Sequence, residues 1–277
     1  MVFRKKKIGL IIGSGDLAVY CMEELAFLGH EIIILRLPCS PIKIARDIKY
    51  IDIQYEKISE AFSYLKQNSV SDIALIGYLE RPEIDVLKAS VESQRILSKV
   101  ASTLNKGDGA IFSAIKKMLG DENFNIVKIQ DLLPELILPP GSFGSSFEEK
   151  IKTHEIERGI SHFLDYAKLD VGQSLVFREG HCLGLETITG TDEMIKSVIN
   201  YRKSNNGKSL KILSGGILIK GAKPKQVLDI DTPVIGPKTI KLAHKAKLTG
   251  VVVESNKVIL VNKDLIIDLL KSYKMFL

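Results

Sequence analysis

The sequence predicts an α/β protein, with an N-terminal Rossmann-like parallel α/β domain followed by a C-terminal mixed α/β domain. Three observations carry that reading. In the first half, short apolar runs alternate with stretches at helical spacing, the pattern of a parallel sheet with helices on its faces. The run Leu136–Ser146 (LILPPGSFGSS) is rich in Pro, Gly and Ser, carries no charge and interrupts that pattern. Beyond it the rhythm changes to hairpin signals mixed with helices. The boundary is therefore placed there, with 1–138 as the first domain and 139–277 as linker and second domain.

In chain order, Lys7–Ile12 is a compact apolar strand, and Asp16–Leu28 a helix closed by Gly29. Glu31–Leu35 is the second strand, Tyr55–Lys66 a helix and Ile73–Tyr78 the third strand. A helical region runs from Pro82 to about Leu104. Gly107-Asp108 reads as a turn and N-cap before a helix over Gly109–Leu119, and Phe124–Ile129 as a fourth strand. In the second domain, Ser174–Phe177 and Cys182–Glu186 flank the turn Arg178-Glu179-Gly180, a hairpin. A helix runs from Gly190-Thr191-Asp192 to Tyr201. Strand Gly216–Ile219, helix Thr239–Lys247, a hairpin of Val251–Glu254 with Val258–Val261, and a final helix Lys263–Tyr273 capped by Asn262 complete the chain.

Length and composition suit a folded protein: 277 residues, 45% hydrophobic and 26% charged. A net charge of +6 and a pI near 9.0 call for an anionic partner. Trp is absent and no aromatics interleave with the basic residues, so no nucleic-acid partner is expected. Cys21, Cys39 and Cys182 are far apart, and no Cys/His spacing suggests zinc. No apolar run reaches the ~18 residues of a membrane span. Arg4-Lys5-Lys6-Lys7 before an apolar stretch resembles a signal peptide, yet Asp16 cuts that stretch short. The expectation is a cytoplasmic protein able to touch a membrane surface.

Gly13-Ser14-Gly15-Asp16 lies between a strand and a helix, the context in which a glycine-rich loop cradles a phosphate. A dinucleotide site also needs an acid near the end of the second strand, where Arg36 stands instead. NAD is disfavoured, and an NADP-linked oxidoreductase using Gly13, Gly15 and Arg36 is the weaker alternative. Asp170, Glu186 and Asp192 follow hairpin and helix starts that bring them toward one end of a sheet, a pattern suited to a hard cation. Lys220, Lys223 and Lys225 offer point charges for phosphate. Asp229 and Asp231, two residues apart, share a face if that stretch is extended.

Asp170-x-Gly172-Gln173, Glu186 with Gly190-Thr191-Asp192-x-Met194, Lys223-Pro224-x-Gln226 and Asp231-x-Pro233-x-x-Gly236-Pro237-x-Thr239 resemble the motifs of the UDP-2,3-diacylglucosamine pyrophosphatases of the LpxI type (DUF1009 family). The resemblance implies hydrolysis of UDP-2,3-diacylglucosamine to 2,3-diacylglucosamine 1-phosphate (lipid X) and UMP in lipid A biosynthesis. It implies Mg²⁺, a lipid-linked UDP-sugar substrate and peripheral association with the cytoplasmic face of the inner membrane. A homodimer is carried as a further expectation. On this basis Asp231, Asp192 and Glu186 are the expected catalytic residues, and Asp170, Asp192 and Asp231 the expected metal ligands. Gly13, Ser14, Gly15, Asp16, Gln173, Thr191, Lys220, Lys223, Gln226 and Thr239 are the expected substrate contacts. The chain departs from the family pattern at Val227, where an Asp is usual, and at Asp229 and Ser197, where an Arg is usual. Those departures motivate the alternative of a non-hydrolysing lipid or nucleotide-sugar binding protein.

Overall fold

The computed structural model describes residues 5–78, 84–146, 151–205 and 213–277. The expected helix start at Pro82 and Arg4 of the basic run lie outside these residues. The chain divides into two compact units. The first comprises Met1–Pro134 with Val227–Asp231, and the second Glu135–Gln226 with Thr232–Leu277.

The first unit runs β1 (Lys7–Ile12), α1 (Asp16–Phe27), β2 (Glu31–Arg36), β3 (Lys49–Asp52), α2 (Ile58–Gln67), β4 (Asp72–Ile76), α3 (Val91–Ala101), α4 (Asp108–Asp121), β5 (Asn125–Ile126) and α5 (Ile129–Leu132). All strand pairings are parallel, in the order β3-β2-β1-β4-β5, the arrangement of a doubly wound sheet. Ile32 to Leu35 are buried without alternation, because a parallel sheet is covered on both faces. Phe62 and Leu65 of α2, Ile96 and Leu97 of α3, and Leu119 of α4 pack in one core with Ile33, Leu35 and Ile73.

Strand β3 was not expected, since K-Y-I-D offers no apolar run. It forms because the sheet edge supplies backbone partners and Arg36 clamps Asp52, with Nη2 to Oδ2 at 2.9 Å. The expected strand over Phe124–Ile129 shortens to two residues, because α5 begins at Ile129. Asp108 opens α4 instead of capping it; Gly107 holds the cap position.

Val227–Asp231 is a turn, not an extended segment. The amides of Ile230 and Asp231 both donate to Val227 O, at 3.1 and 2.9 Å. Ile230 is buried in the first unit's core, and Val227 packs against the same cluster. Asp229 and Asp231 therefore do not share a face by strand alternation, since period 2 holds only in extended chain.

The second unit runs α6 (Thr153–Ala167), β6 (Ser174–Arg178), β7 (His181–Leu185), α7 (Gly190–Ser204), β8 (Ile217–Lys220), β9 (Val234–Ile235), α8 (Pro237–Lys245), β10 (Gly250–Val253), β11 (Ile259–Leu260) and α9 (Lys263–Ser272). Its main sheet has the order β10-β8-β6-β7, with β10 and β8 parallel and β6 antiparallel to both neighbours. Here the strands do alternate. Val176, Leu218 and Val251 pack with residues of α7, α8 and α9, while Leu175, Phe177, Ile217 and Ile219 pack with Phe163 and Ala167 of α6.

The expected hairpin of Val251–Glu254 with Val258–Val261 does not form. β10 pairs with β8 and β11 with β9, both parallel. Helix α6 was also missed, and Gly159 inside it explains the omission. A Cβ there would lie 2.7 Å from Ile219 Cδ1, so the sheet's close approach requires glycine at a position where propensity disfavours it. Part of the Pro/Gly/Ser run is fastened down: Phe143 and Leu277 exchange two backbone hydrogen bonds of 2.9 Å, and Ser145 N donates to Met275 O.

Candidate active site

In the second unit, the carboxyl ends of the parallel strands β8 and β10 meet the start of β6 and the end of β7. Register places Ser174 opposite Lys220 and Lys220 beside Val253, and Glu186 N donates to Ser174 O. Four polar side chains converge there although all are nearly excluded from solvent: Ser174, Glu186, Thr191 and Lys220. Ser174 Oγ and Thr191 Oγ1 donate to the Glu186 carboxylate, the latter at 2.7 Å. Lys220 Nζ donates to Thr191 Oγ1 at 2.7 Å and lies 4.0 Å from Glu186 Oε2. A charge taken from water needs a counter-charge and hydrogen bonds, and this cluster supplies both.

A more accessible layer flanks it. Asp170 ends the chain after α6 in the left-handed region (φ +57°), a conformation Asp tolerates, and its carboxylate pairs with Lys223 at 2.8 Å. Lys223 N donates to Gln226 Oε1, and Gln226 Nε2 donates to Gln173 Oε1 at 3.0 Å. Asp192 pairs with Lys238 at 2.7 Å, which joins the first turns of α7 and α8. Pro237 opens α8 at a position where its missing N–H costs nothing, and Thr239 is buried in the same turn. The first turn of α8 carries Lys238 and no acid, a field favourable to a phosphate group, whereas that of α7 already holds Asp192 and Glu193.

The structure thus brings together Gln173, Glu186, Thr191 and Lys220, with Asp170, Lys223 and Gln226 in one adjoining set and Asp192 and Thr239 in another. Ser174, Lys238 and Glu254, whose carboxylate accepts from Ala222 N, were not expected. A cation in a helix's first turn is unfavourable unless an anion is near, and that signal could have marked Lys238. Tyr166 was also missed. Its hydroxyl is buried without a hydrogen-bond partner among the described residues, and burial, then Glu186 and Cys182, push its pKa up to about 12.

Asp231 belongs with the first unit, as do Gly13, Ser14, Gly15 and Asp16. Two of the glycine loop's amides are committed: Gly13 N donates to Ile76 O and Ser14 N to Tyr78 O, at 2.9 and 3.0 Å. Tyr78 N returns a bond to Ser14 O, and Asp16 places a carboxylate in the first turn of α1, where an anion would otherwise sit. Arg36 is paired with Asp52, which competes for the guanidinium that an NADP site would use.

The expected Mg²⁺ ligand set does not assemble. Among the described residues no three of His, Cys, Asp and Glu come together, and Asp170 and Asp192 each face a lysine. The residues present do not fit a dedicated metal cage. No helix among them is long and apolar enough to cross a membrane.

Comparison with known proteins adds the following. The family model described as the LpxI N-terminal domain matches residues 7–136, and that of the LpxI C-terminal domain matches 139–277. The UDP-2,3-diacylglucosamine pyrophosphatase LpxI of Caulobacter vibrioides is 26% identical over 262 residues, covering 95% of this chain and 93% of the relative. A solved structure described as an NAD-dependent epimerase/dehydratase from Methylobacillus flagellatus aligns over 97% of this chain and 82% of its own, at 12% identity and a TM-score of 0.29, a likeness too slight to carry an argument.

Proposed function

The chain belongs to the LpxI family, and from that premise we propose that it hydrolyses UDP-2,3-diacylglucosamine to 2,3-diacylglucosamine 1-phosphate and UMP, a step of lipid A biosynthesis. The observation that carries this reading is the family match across both halves of the chain, 7–136 and 139–277. The lysines of the second unit and the acid-free N-terminus of α8 support it, because they suit a pyrophosphate.

In the reaction, water attacks one phosphorus of the pyrophosphate, the bond from that phosphorus to the bridging oxygen breaks, and the bridging oxygen leaves with the other phosphoryl group. Lys223 and Lys238 exchange Asp170 and Asp192 for phosphoryl oxygens and, with the first turn of α8, neutralise charge that builds as the bond breaks. Gln173 and Gln226 offer amide groups to orient the substrate. Glu186 serves to position, since two hydroxyls already occupy its carboxylate and leave it ill-placed to take a proton from water. Asp231, the carboxylate in the most specific family motif, is assigned to activate water. Mg²⁺ remains a proposal that rests on the substrate's pyrophosphate, which binds it in solution, and chelation of the assay tests it. Peripheral attachment to the cytoplasmic face of the inner membrane follows from a substrate that carries two acyl chains.

Asp231→Asn, assayed for UMP release with folding checked by circular dichroism, is expected to lower kcat by at least ~100-fold, the usual scale for a general base. Near-normal turnover would remove Asp231 from the mechanism. A second reading, binding without hydrolysis, is favoured by Val227 and by Asp229, whose carboxylate is held by Lys116 and by Lys128. Mass spectrometry of ligand carried through purification separates the two: lipid X indicates turnover, and intact substrate indicates binding alone.

A further inference from the structure

We propose that Leu169, Val171, Leu185 and Ile188 form a lipid-contact edge by which the second unit rests on an anionic bilayer, beside the site that takes the headgroup; this rests on the lipid-linked substrate proposed above. The four side chains are 69%, 51%, 46% and 94% exposed. They alternate in sequence with residues of the site: Leu169 and Val171 bracket Asp170, and Leu185 and Ile188 bracket Glu186. The two segments lie against each other, because a Cβ on Gly172 would overlap the carbonyl of Glu186. Gly190 N closes a turn onto Thr187 O at 2.9 Å and presents Ile188 near its tip.

The occupant follows from shape, area and charge. A side chain that is 94% exposed stands clear of its neighbours, so Ile188 cannot wall a pocket for an acyl chain. It can enter a soft apolar phase. Four aliphatic side chains fall short of the ~800 Å² per partner that a stable protein interface buries, which disfavours a second copy. A net charge of +6 draws the chain toward anionic headgroups, and Lys168, next to Leu169, is exposed in an equally exposed pair with Asp165 that an anionic headgroup can join. With the edge at the bilayer surface, a lipid whose acyl chains stay in the membrane brings its sugar and pyrophosphate to Gln173 and Lys223 without full extraction.

The test is co-sedimentation of the full chain with vesicles of phosphatidylethanolamine and phosphatidylglycerol, comparing wild type with Leu169→Asp and Ile188→Asp. Each substitution is expected to lower the vesicle partition coefficient about tenfold, the scale of one aliphatic side chain removed from an apolar phase. Melting temperature and UMP release from detergent-dispersed substrate stay at wild-type values. A wild type that ignores the vesicles, variants that bind them equally well, or a dimer that the variants dissociate without change in vesicle binding would each overturn the proposal. Wild type that binds vesicles through this edge but releases no UMP from dispersed substrate upholds the edge and removes the hydrolase reading. Hydrolysis without vesicle binding does the reverse.

Discussion

The two units of this chain treat polar groups in opposite ways. In the first, the segment most suggestive of ligand binding, the glycine loop after β1, has the amides of Gly13 and Ser14 tied to the strand end of β4; the unit's Lys7–Glu31 and Lys99–Asp121 pairs are solvated, and its buried Glu122 faces the exposed Lys66 and Arg95. In the second, a lysine and a glutamate are almost wholly buried with two hydroxyls at the end of a sheet. A glycine loop can follow from strand geometry alone, since its positive φ values and close contacts serve the turn itself. Charge drawn out of water against the desolvation cost needs another explanation, and catalytic or binding chemistry supplies one.

The sharpest way to break that contrast is to remove one member of the buried pair. Lys220→Met leaves the Glu186 carboxylate in a dry site without its cation, and it is expected to destabilise the protein by about 3–5 kcal/mol. Glu186→Gln strands the ammonium in the same way. Combining the two substitutions should recover more than half of either loss, because neither charge then remains. Urea denaturation of the three variants measures this, and a cost below about 0.5 kcal/mol for Lys220→Met, the level of an ordinary surface change, would show that the pair is not buried in solution.

For the first unit the corresponding test is Gly77→Ala. Gly77 has φ +90°, and a Cβ there would lie 2.6 Å from the carbonyl oxygen of Ser14, the group that receives Tyr78 N. Strain and overlap together are expected to cost about 2 kcal/mol, read from thermal denaturation. A loss of a few tenths would mean that the β1 and β4 loops are not laced together, and would restore the glycine loop as a phosphate cradle.

How far the sequence disclosed all this differs between the units for physical reasons. The first unit's parallel sheet was legible because strands buried on both faces read as unbroken apolar runs, as in Ile32 to Leu35. Its edge strand β3 was not, since an edge needs backbone partners and not apolar side chains. In the second unit the hairpin at Arg178-Glu179-Gly180 stood out from its turn residues, whereas the short strands Val234–Ile235 and Ile259–Leu260 paired with partners distant in sequence. Proximity along the chain suggested a hairpin, and register cannot be read at that range. Of the candidate site, the lysines and acids in family motifs were visible, but Ser174 enters only because it faces Lys220 across the sheet. The i, i+2 acids misled because a period-2 argument presumes the extended backbone that Val227–Asp231 lacks.

That same turn holds the smallest of the expected effects. Asp229 stands where the family resemblance implies a cation, and Lys116 above all, then Lys128, hold its carboxyl below the ordinary carboxylate range against the opposing effect of burial. A depressed folded pKa means stability that is present in full above the unfolded value and lost as pH falls through the folded one. Because the side chain is 28% exposed, solvent screens the pair, and Asp229→Asn is expected to cost about 1 kcal/mol at neutral pH. The difference between the variant and wild type should then narrow as pH falls below the unfolded value of about 3.9 and close once it has passed the lower folded one, where both side chains are uncharged. Urea titrations at several pH values measure it. A difference that persists at low pH would assign Asp229 a role in the turn's packing in place of its ion pairs. Closure on acidification would show that Asp229 acts through its charge, balanced within the first unit by Lys116 and Lys128.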